Sequence, residues 1–246
     1  MNTTLESVDV PGGDGHAVRC ALVKPAAARR LPAVVAYSDI FQVTPSHLRI
    51  CRRLAGYGFV VLAPEIFGRF LPAGRALDFE ADRQLALDTT ERLPLAAIDA
   101  DRHAVLAWLR AQTFVDPDRL LACGWCIGGH LAFRAAQEPD VRATACFYAT
   151  GLHTDTVGAA HGNAPTLAGA SRIAGALLLV WGTRDPHIPK DGRSKVHRVL
   201  DDLGVPFQTR LYDAEHTFMR DEGARFEPVA ADRAFRDMLE LFEPFR

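Results

Sequence analysis

Leu120-Leu-Ala-Cys-Gly-Trp-Cys-Ile-Gly-Gly-His130 is the stretch that decides the fold. It opens on an apolar run, Leu120 to Cys123, passes through Gly124-x-Cys126-x-Gly128-Gly129, and enters a helical stretch from Leu131 to Gln137. Strand, sharp turn and helix in that order form a nucleophile elbow, here with cysteine at the apex. The glycines have a mechanical purpose, because the turn is too tight for a side chain two residues either side of the apex. Backbone strain is the cost, and a sulfur held at a helix N-terminus is the gain. There the partial positive charge and free N–H groups favour thiolate, and the N–H of Ile127 can point at a developing oxyanion.

Working outward, further short apolar runs lie at Pro32 to Tyr37, Phe59 to Ala63, Ala143 to Tyr148, Ala176 to Trp181 and Phe207 to Tyr212. Their length suits strands buried on both faces of a parallel sheet. Helical periodicity between them, as in Val196, Val199, Leu200 and Leu203 and in Phe235, Met238, Leu239 and Phe242, predicts a mostly parallel α/β sheet with helices on both faces. Ahead of it, Glu6 to Val10 and His16 to Val23 alternate around the turn cluster Pro11 to Gly15, which predicts an antiparallel N-terminal pair. One domain over residues 1–246 is expected, and the Gly-rich stretch from Gly151 to Ala170 is expected to be a surface excursion. Ligands of such sheets sit beyond the carboxyl ends of the strands, so function belongs in the loops that follow them.

Two of those loops supply partners for Cys126. Asp185 follows the run ending at Trp181, 59 residues after the cysteine, and His216 follows the run ending at Tyr212, a further 31 residues on. Nucleophile, acid, histidine is the chain order that an elbow of this kind requires. His187 and Asp213 are weaker candidates: His187 sits between two prolines, and Asp213 precedes the histidine too closely to reach behind its ring.

The 28 Lys and Arg against 30 Asp and Glu leave no field for phosphate backbones or anionic lipid, so neither nucleic acid nor a membrane is expected as a partner. Five irregularly spaced cysteines argue against a secreted disulfide framework, and the N-terminus lacks the features of a signal peptide. A cytoplasmic protein is expected, with Cys20, Cys51 and Cys146 as buried structural residues. Cys123-Gly-Trp-Cys126 can also be read as a dithiol redox motif, although that reading gives Gly124, Gly128 and Gly129 no purpose and places Cys123 inside a buried strand.

From Val34 to Phe242 the chain resembles the dienelactone hydrolase (carboxymethylenebutenolidase) family of α/β-hydrolases. The resemblance rests on Gly124-Trp-Cys126-Ile-Gly-Gly129, Asp185 followed by Ile188-Pro189, and His216-Thr-Phe-Met-Arg220. It implies an α/β-hydrolase fold, a Cys126-His216-Asp185 triad, no metal or organic cofactor, and hydrolysis of an enol-lactone ring in aromatic-compound catabolism. Ser38-Asp39-Ile40-Phe41 resembles the family's Glu-Ile-Phe-Gly, which makes Asp39 the counterpart of an acid that activates the nucleophile and the N–H of Ile40 the second oxyanion donor. Asp39 is one methylene shorter than that Glu, Gln42 replaces the Gly, and a capping or solvated acid is the alternative reading of Asp39. Arg220, four residues after His216, and Arg83 match family arginines that grip a substrate carboxylate. The aromatic residues expected after Arg83 are replaced near Leu87 and Thr90, so Arg83 also reads as a solvated helix residue.

The expected reaction runs through a thioester on Cys126, with Ile127 and Ile40 N–H groups receiving the oxyanion and water activated by His216 releasing the acid. A thiolate leaves more easily than an alkoxide, which restricts substrates to enol, phenol and thiol leaving groups. A broader carboxylesterase or thioesterase acting on activated, uncharged esters is the alternative within the same chemistry. Outside it stand the dithiol redox protein and a non-catalytic relative that binds a ligand, against which the retained triad positions speak.

Overall fold

The computed structural model describes residues 2–246. The N-terminal pair is β1 (Thr3–Pro11) and β2 (Ala17–Pro25), antiparallel from Thr3 opposite Pro25 to Pro11 opposite Ala17. Both strands run longer than their alternating cores, because the turn at Gly12 to Gly15 lets the ladder continue to its last residues. Next come β3 (Leu31–Tyr37), β4 (Val60–Pro64), β5 (Val115–Trp125), β6 (Val141–Phe147), β7 (Ala176–Gly182) and β8 (Gln208–Tyr212). These six are mutually parallel, β2 joins β4 antiparallel, and the sheet order is β1-β2-β4-β3-β5-β6-β7-β8.

The central strands carry the expected continuous apolar character, and every residue of β3 and β4 is buried. β8 differs from its expectation. Gln208, Thr209 and Arg210 interrupt its apolar residues, β7 is its one strand partner among the described residues, and Leu211 remains 56% exposed. It is an edge strand rather than one buried on both faces.

Among the described residues six α-helices flank the sheet: α1 (Pro45–Gly56), α2 (Arg83–Arg92), α3 (Leu95–Ala111), α4 (Ile127–Ala135), α5 (Lys190–Asp202) and α6 (Pro228–Phe242). Thr44 caps α1 by accepting from the N–H of His47, and Pro45 stands where its missing N–H costs nothing. α3 packs beside α4, whereas α1 and α6 meet through Arg53, whose guanidinium lies 3.9 Å from the centre of the Phe235 ring. None of the described helices is long and apolar enough to cross a membrane.

Two features of this architecture place the site. The chain leaves β3 for β4 on one side and returns through α2 and α3 to β5 on the other, so the carboxyl ends of β3 and β5 form a switch point. The stretch from Gly151 to Ala170 is more than a surface excursion. Val157, Ala164, Thr166 and Leu167 are buried, and Asp155 pins the stretch by accepting from the N–H of Leu167 at 3.2 Å. Its apolar residues recur without a regular period, which hid their burial from a reading of periodicity.

Candidate active site

Cys126 occupies φ 59°, ψ −123°, a conformation that L-residues rarely adopt and that costs about 1–3 kcal/mol. Backbone bonds hold it there: its N–H donates to Phe147 O at 3.1 Å, and its carbonyl accepts from Gly129 N at 3.0 Å and Thr150 N at 3.2 Å. The glycines permit the approach. A Cβ at Gly124 would lie 1.9 Å from Gly128 O, and one at Gly128 would lie 2.3 Å from both Tyr37 O and Ser38 O. For the same reason α4 starts at Ile127 rather than at Leu131: closeness of backbone, not helix propensity, sets its first turn.

His216 and Asp185 are both buried, and Nδ1 of His216 lies 2.7 Å from Asp185 Oδ2. A carboxylate only accepts, so Nδ1 carries the proton and Nε2 is left for chemistry. Asp185 Oδ1 accepts from the N–H of His187 at 2.8 Å, which fixes the carboxylate in its own turn. Burial on its own would keep the imidazole of His216 neutral. A negative charge on Cys126 and the bond to Asp185 outweigh it and raise the imidazole to about 9.

Asp213 points elsewhere, pairing with Arg184 at 2.9 Å with its side chain 85% exposed. His187, by contrast, lines the cavity and sets its ring edge-to-face against His216, with centroids 4.8 Å apart. Burial and the neighbouring His216 push its imidazole down.

Asp39 follows β3. Its Oδ1 accepts from Phe41 N at 2.9 Å, and its Oδ2 accepts from Arg220 at 3.3 Å. Burial raises the carboxyl, opposed by Arg220 and the Phe41 N–H. Among the described residues Asp39 makes no hydrogen bond to Cys126; it closes a local turn and pairs with the arginine. Arg220 is further held over the Phe79 ring, 4.0 Å from its centre, and the Phe41 ring, 5.1 Å away. Arg83 stands exposed at the start of α2 and makes no described ion pair.

Cys126, Ile127, His216, Asp39, Ile40, Arg83 and Arg220 all line one cavity of about 340 Å³, with Asp185 behind His216. Sequence reasoning missed part of its lining, Thr150 against the sulfur and His161 and Val157 from the stretch after β6, and missed Tyr148, which packs on His216 from outside that lining. Only the position of Thr150 and Tyr148 just past a strand could have pointed to them. Among the described residues no group of three or more His, Cys, Asp or Glu is placed to hold a metal ion.

Residues 18–246 match the dienelactone hydrolase family. The chain belongs to that family. A relative from Saccharomyces cerevisiae, provisionally named carboxymethylenebutenolidase, is 31% identical over 95% of this chain and 89% of its own length. The carboxymethylenebutenolidase of a Pseudomonas species is 27% identical over 99% of this chain and 96% of its own. Among solved structures, a provisionally named dienelactone hydrolase of Klebsiella pneumoniae superposes with a TM-score of 0.84 at 24% identity, covering 99% of each chain, which establishes the α/β-hydrolase fold. As a dienelactone hydrolase family member the chain is a hydrolase, and small-molecule esters or lactones are the substrate class that membership implies.

Proposed function

We propose that this single hydrolase domain opens enol-lactone rings through a thioester on Cys126, with His216 as base and Asp185 as its orienting acid. The observation that carries the reading is the convergence in one cavity of a strained cysteine at a helix N-terminus and a buried His216 bonded to Asp185 at 2.7 Å. A negative charge on the sulfur raises the His216 imidazole, so thiolate and imidazolium favour one another as the reactive form of the pair. The thiolate attacks the lactone carbonyl, the N–H groups of Ile127 and Ile40 receive the oxyanion, and the imidazolium protonates the departing enolate. Acylation removes the negative charge from the sulfur and with it the main influence that raises His216. The imidazole is then a neutral base when water must be activated. A thiolate's readiness to leave confines the reaction to enol, phenol and thiol leaving groups.

Arg83 and Arg220 would receive a substrate carboxylate, and the resulting place of the enzyme is catabolism of aromatic compounds in the cytoplasm. One observation favours a broader esterase acting on uncharged activated esters: Arg220 already holds Asp39, so a substrate carboxylate must compete with that pair. The dithiol alternative is disfavoured by Cys123, which is fully buried in β5 with its thiol pushed far up by burial.

The deciding experiment is mass spectrometry of the protein mixed with an enol lactone or an aryl ester. An acyl adduct on the peptide containing Cys126 is expected. Turnover with an adduct on another residue, or full turnover by Cys126→Ala, overturns the assignment.

A further inference from the structure

The sulfur of Cys126 faces a second group besides His216. Thr150, three residues past the end of β6, places its Oγ1 3.7 Å from the Cys126 sulfur, within the longer hydrogen-bond range of sulfur, and that sulfur is its one described side-chain partner. The residue is anchored as firmly as the elbow itself. Its N–H donates to the carbonyl of Cys126 at 3.2 Å, and its own carbonyl lies 3.0 Å from Nδ1 of His130.

His130 belongs to the helix that begins at the elbow, and its protonation can be assigned by elimination. A carbonyl only accepts, so Nδ1 of His130 carries the proton and donates to Thr150. Burial pushes this imidazole down to about 4, so Nε2 is bare at neutral pH and accepts from the Thr166 hydroxyl at 2.8 Å. Thr166 is free to donate because its oxygen accepts from Arg134 at 2.8 Å. A fully satisfied buried chain of Arg134, Thr166 and His130 therefore ends on the backbone of Thr150 and holds its hydroxyl against the sulfur.

We propose that Thr150 is a hydroxyl donor to the Cys126 thiolate, a contact that stabilises the charged nucleophile before substrate binds. The proposal rests on the reading of Cys126 as the nucleophile. A thiolate can only accept, so Thr150 must donate, and its proton remains on the threonine oxygen. Hydrogen bonds to charged acceptors are stronger than those between neutral groups, so the contact favours thiolate over thiol. Other groups also face the sulfur: His216 from the loop after β8, Tyr148 from the end of β6, and beyond them Asp39 with Arg220 and, against His216, His187. None of these changes when Thr150 is replaced, so a comparison of variants isolates the hydroxyl. His130 acts only through Thr150 and is a positioning residue.

The test is the rate of alkylation of Cys126 by iodoacetamide as a function of pH, read by peptide mass spectrometry in wild type, Thr150→Val and Thr150→Ser. Valine keeps the shape and removes the donor; serine keeps the donor. Thr150→Val is expected to alkylate about three- to tenfold more slowly at neutral pH, with the midpoint of its profile moved up by about 0.5 to 1. Thr150→Ser should track the wild type, and in Thr150→Val kcat should fall while KM holds. An unchanged profile in Thr150→Val, or an equal loss in Thr150→Ser, overturns the proposal. That outcome is separable from failure of the functional reading, which is decided by whether an acyl adduct forms on Cys126.

Discussion

Cys126 and His216, with Asp185 behind the ring, stand on short turns at strand ends at the floor of the cavity, whereas Arg83, Glu91 and His161 reach it from α2 and the stretch after β6. Backbone bonds and close glycine contacts set each angle in the floor, and Asp185 and His216 are buried against each other. At the rim the side chains are long and exposed. A side chain held by its own backbone turn cannot drift without breaking the turn. One that reaches in from an exposed helix can be exchanged at little cost in stability, which is where substrate preference is free to vary.

The comparison breaks first at its strongest point. Cys126→Ala should lower kcat/KM for an activated ester on the order of 10⁴-fold, while Cys123→Ala leaves most activity. Equal losses in the two variants would mean that the cysteines act as a pair. Asp185→Asn should cost on the order of 10²-fold, mainly in kcat, because it removes the charge behind His216 without changing shape.

Gly128→Ala tests the backbone side of the contrast. Its Cβ would meet two carbonyl oxygens at 2.3 Å, neither on a flexible side chain, so a loss of about 3 kcal/mol in chemical denaturation is expected. Arg83→Ala, at the exposed rim, should leave the denaturation midpoint unchanged within error.

Substrate charge sharpens the difference further. Arg220→Ala should raise KM for a carboxylated lactone about tenfold more than for its methyl ester, and Arg83→Ala only about threefold, because solvent screens the exposed guanidinium. Equal effects on acid and ester in Arg220→Ala would support the broader esterase.

Protonation gives the finest test. His216 is raised in the folded protein to about 9, so its contribution to stability is fully present below its ordinary value of 6.5 and is lost as pH rises through about 9. Removing the cysteine's charge in Cys126→Ala should move the imidazole downward, as followed by NMR. An imidazole that titrates identically in both proteins would show that sulfur and ring do not interact.

Much of this was legible in the sequence, and unevenly so. Gly124, Gly128 and Gly129 around Cys126 announce a turn that only glycine permits, and Asp185 and His216 each follow a short strand, buried before Asp185 and at the sheet edge before His216. Those are local signals, carried by neighbours in the chain. The burial of the stretch from Gly151 to Ala170 and the pairing of Asp39 with Arg220, 181 residues apart, have no local signature, whereas the polar Gln208, Thr209 and Arg210 did mark β8 as an edge.

The amino-acid order alone determined the elbow, the alternation of strand and helix, and which residues stand at strand ends, because steric limits on a turn and the period of burial act over a few residues. Tertiary structure alone decided what each of those residues faces. Asp39 closes a turn and meets Arg220, Thr150 meets the sulfur, and His187 packs on His216 because sheet order brings loops from distant parts of the chain to one end of the strands. Contact between such loops depends on the order in which strands pair, and that order follows from the packing of the whole sheet rather than from any one segment.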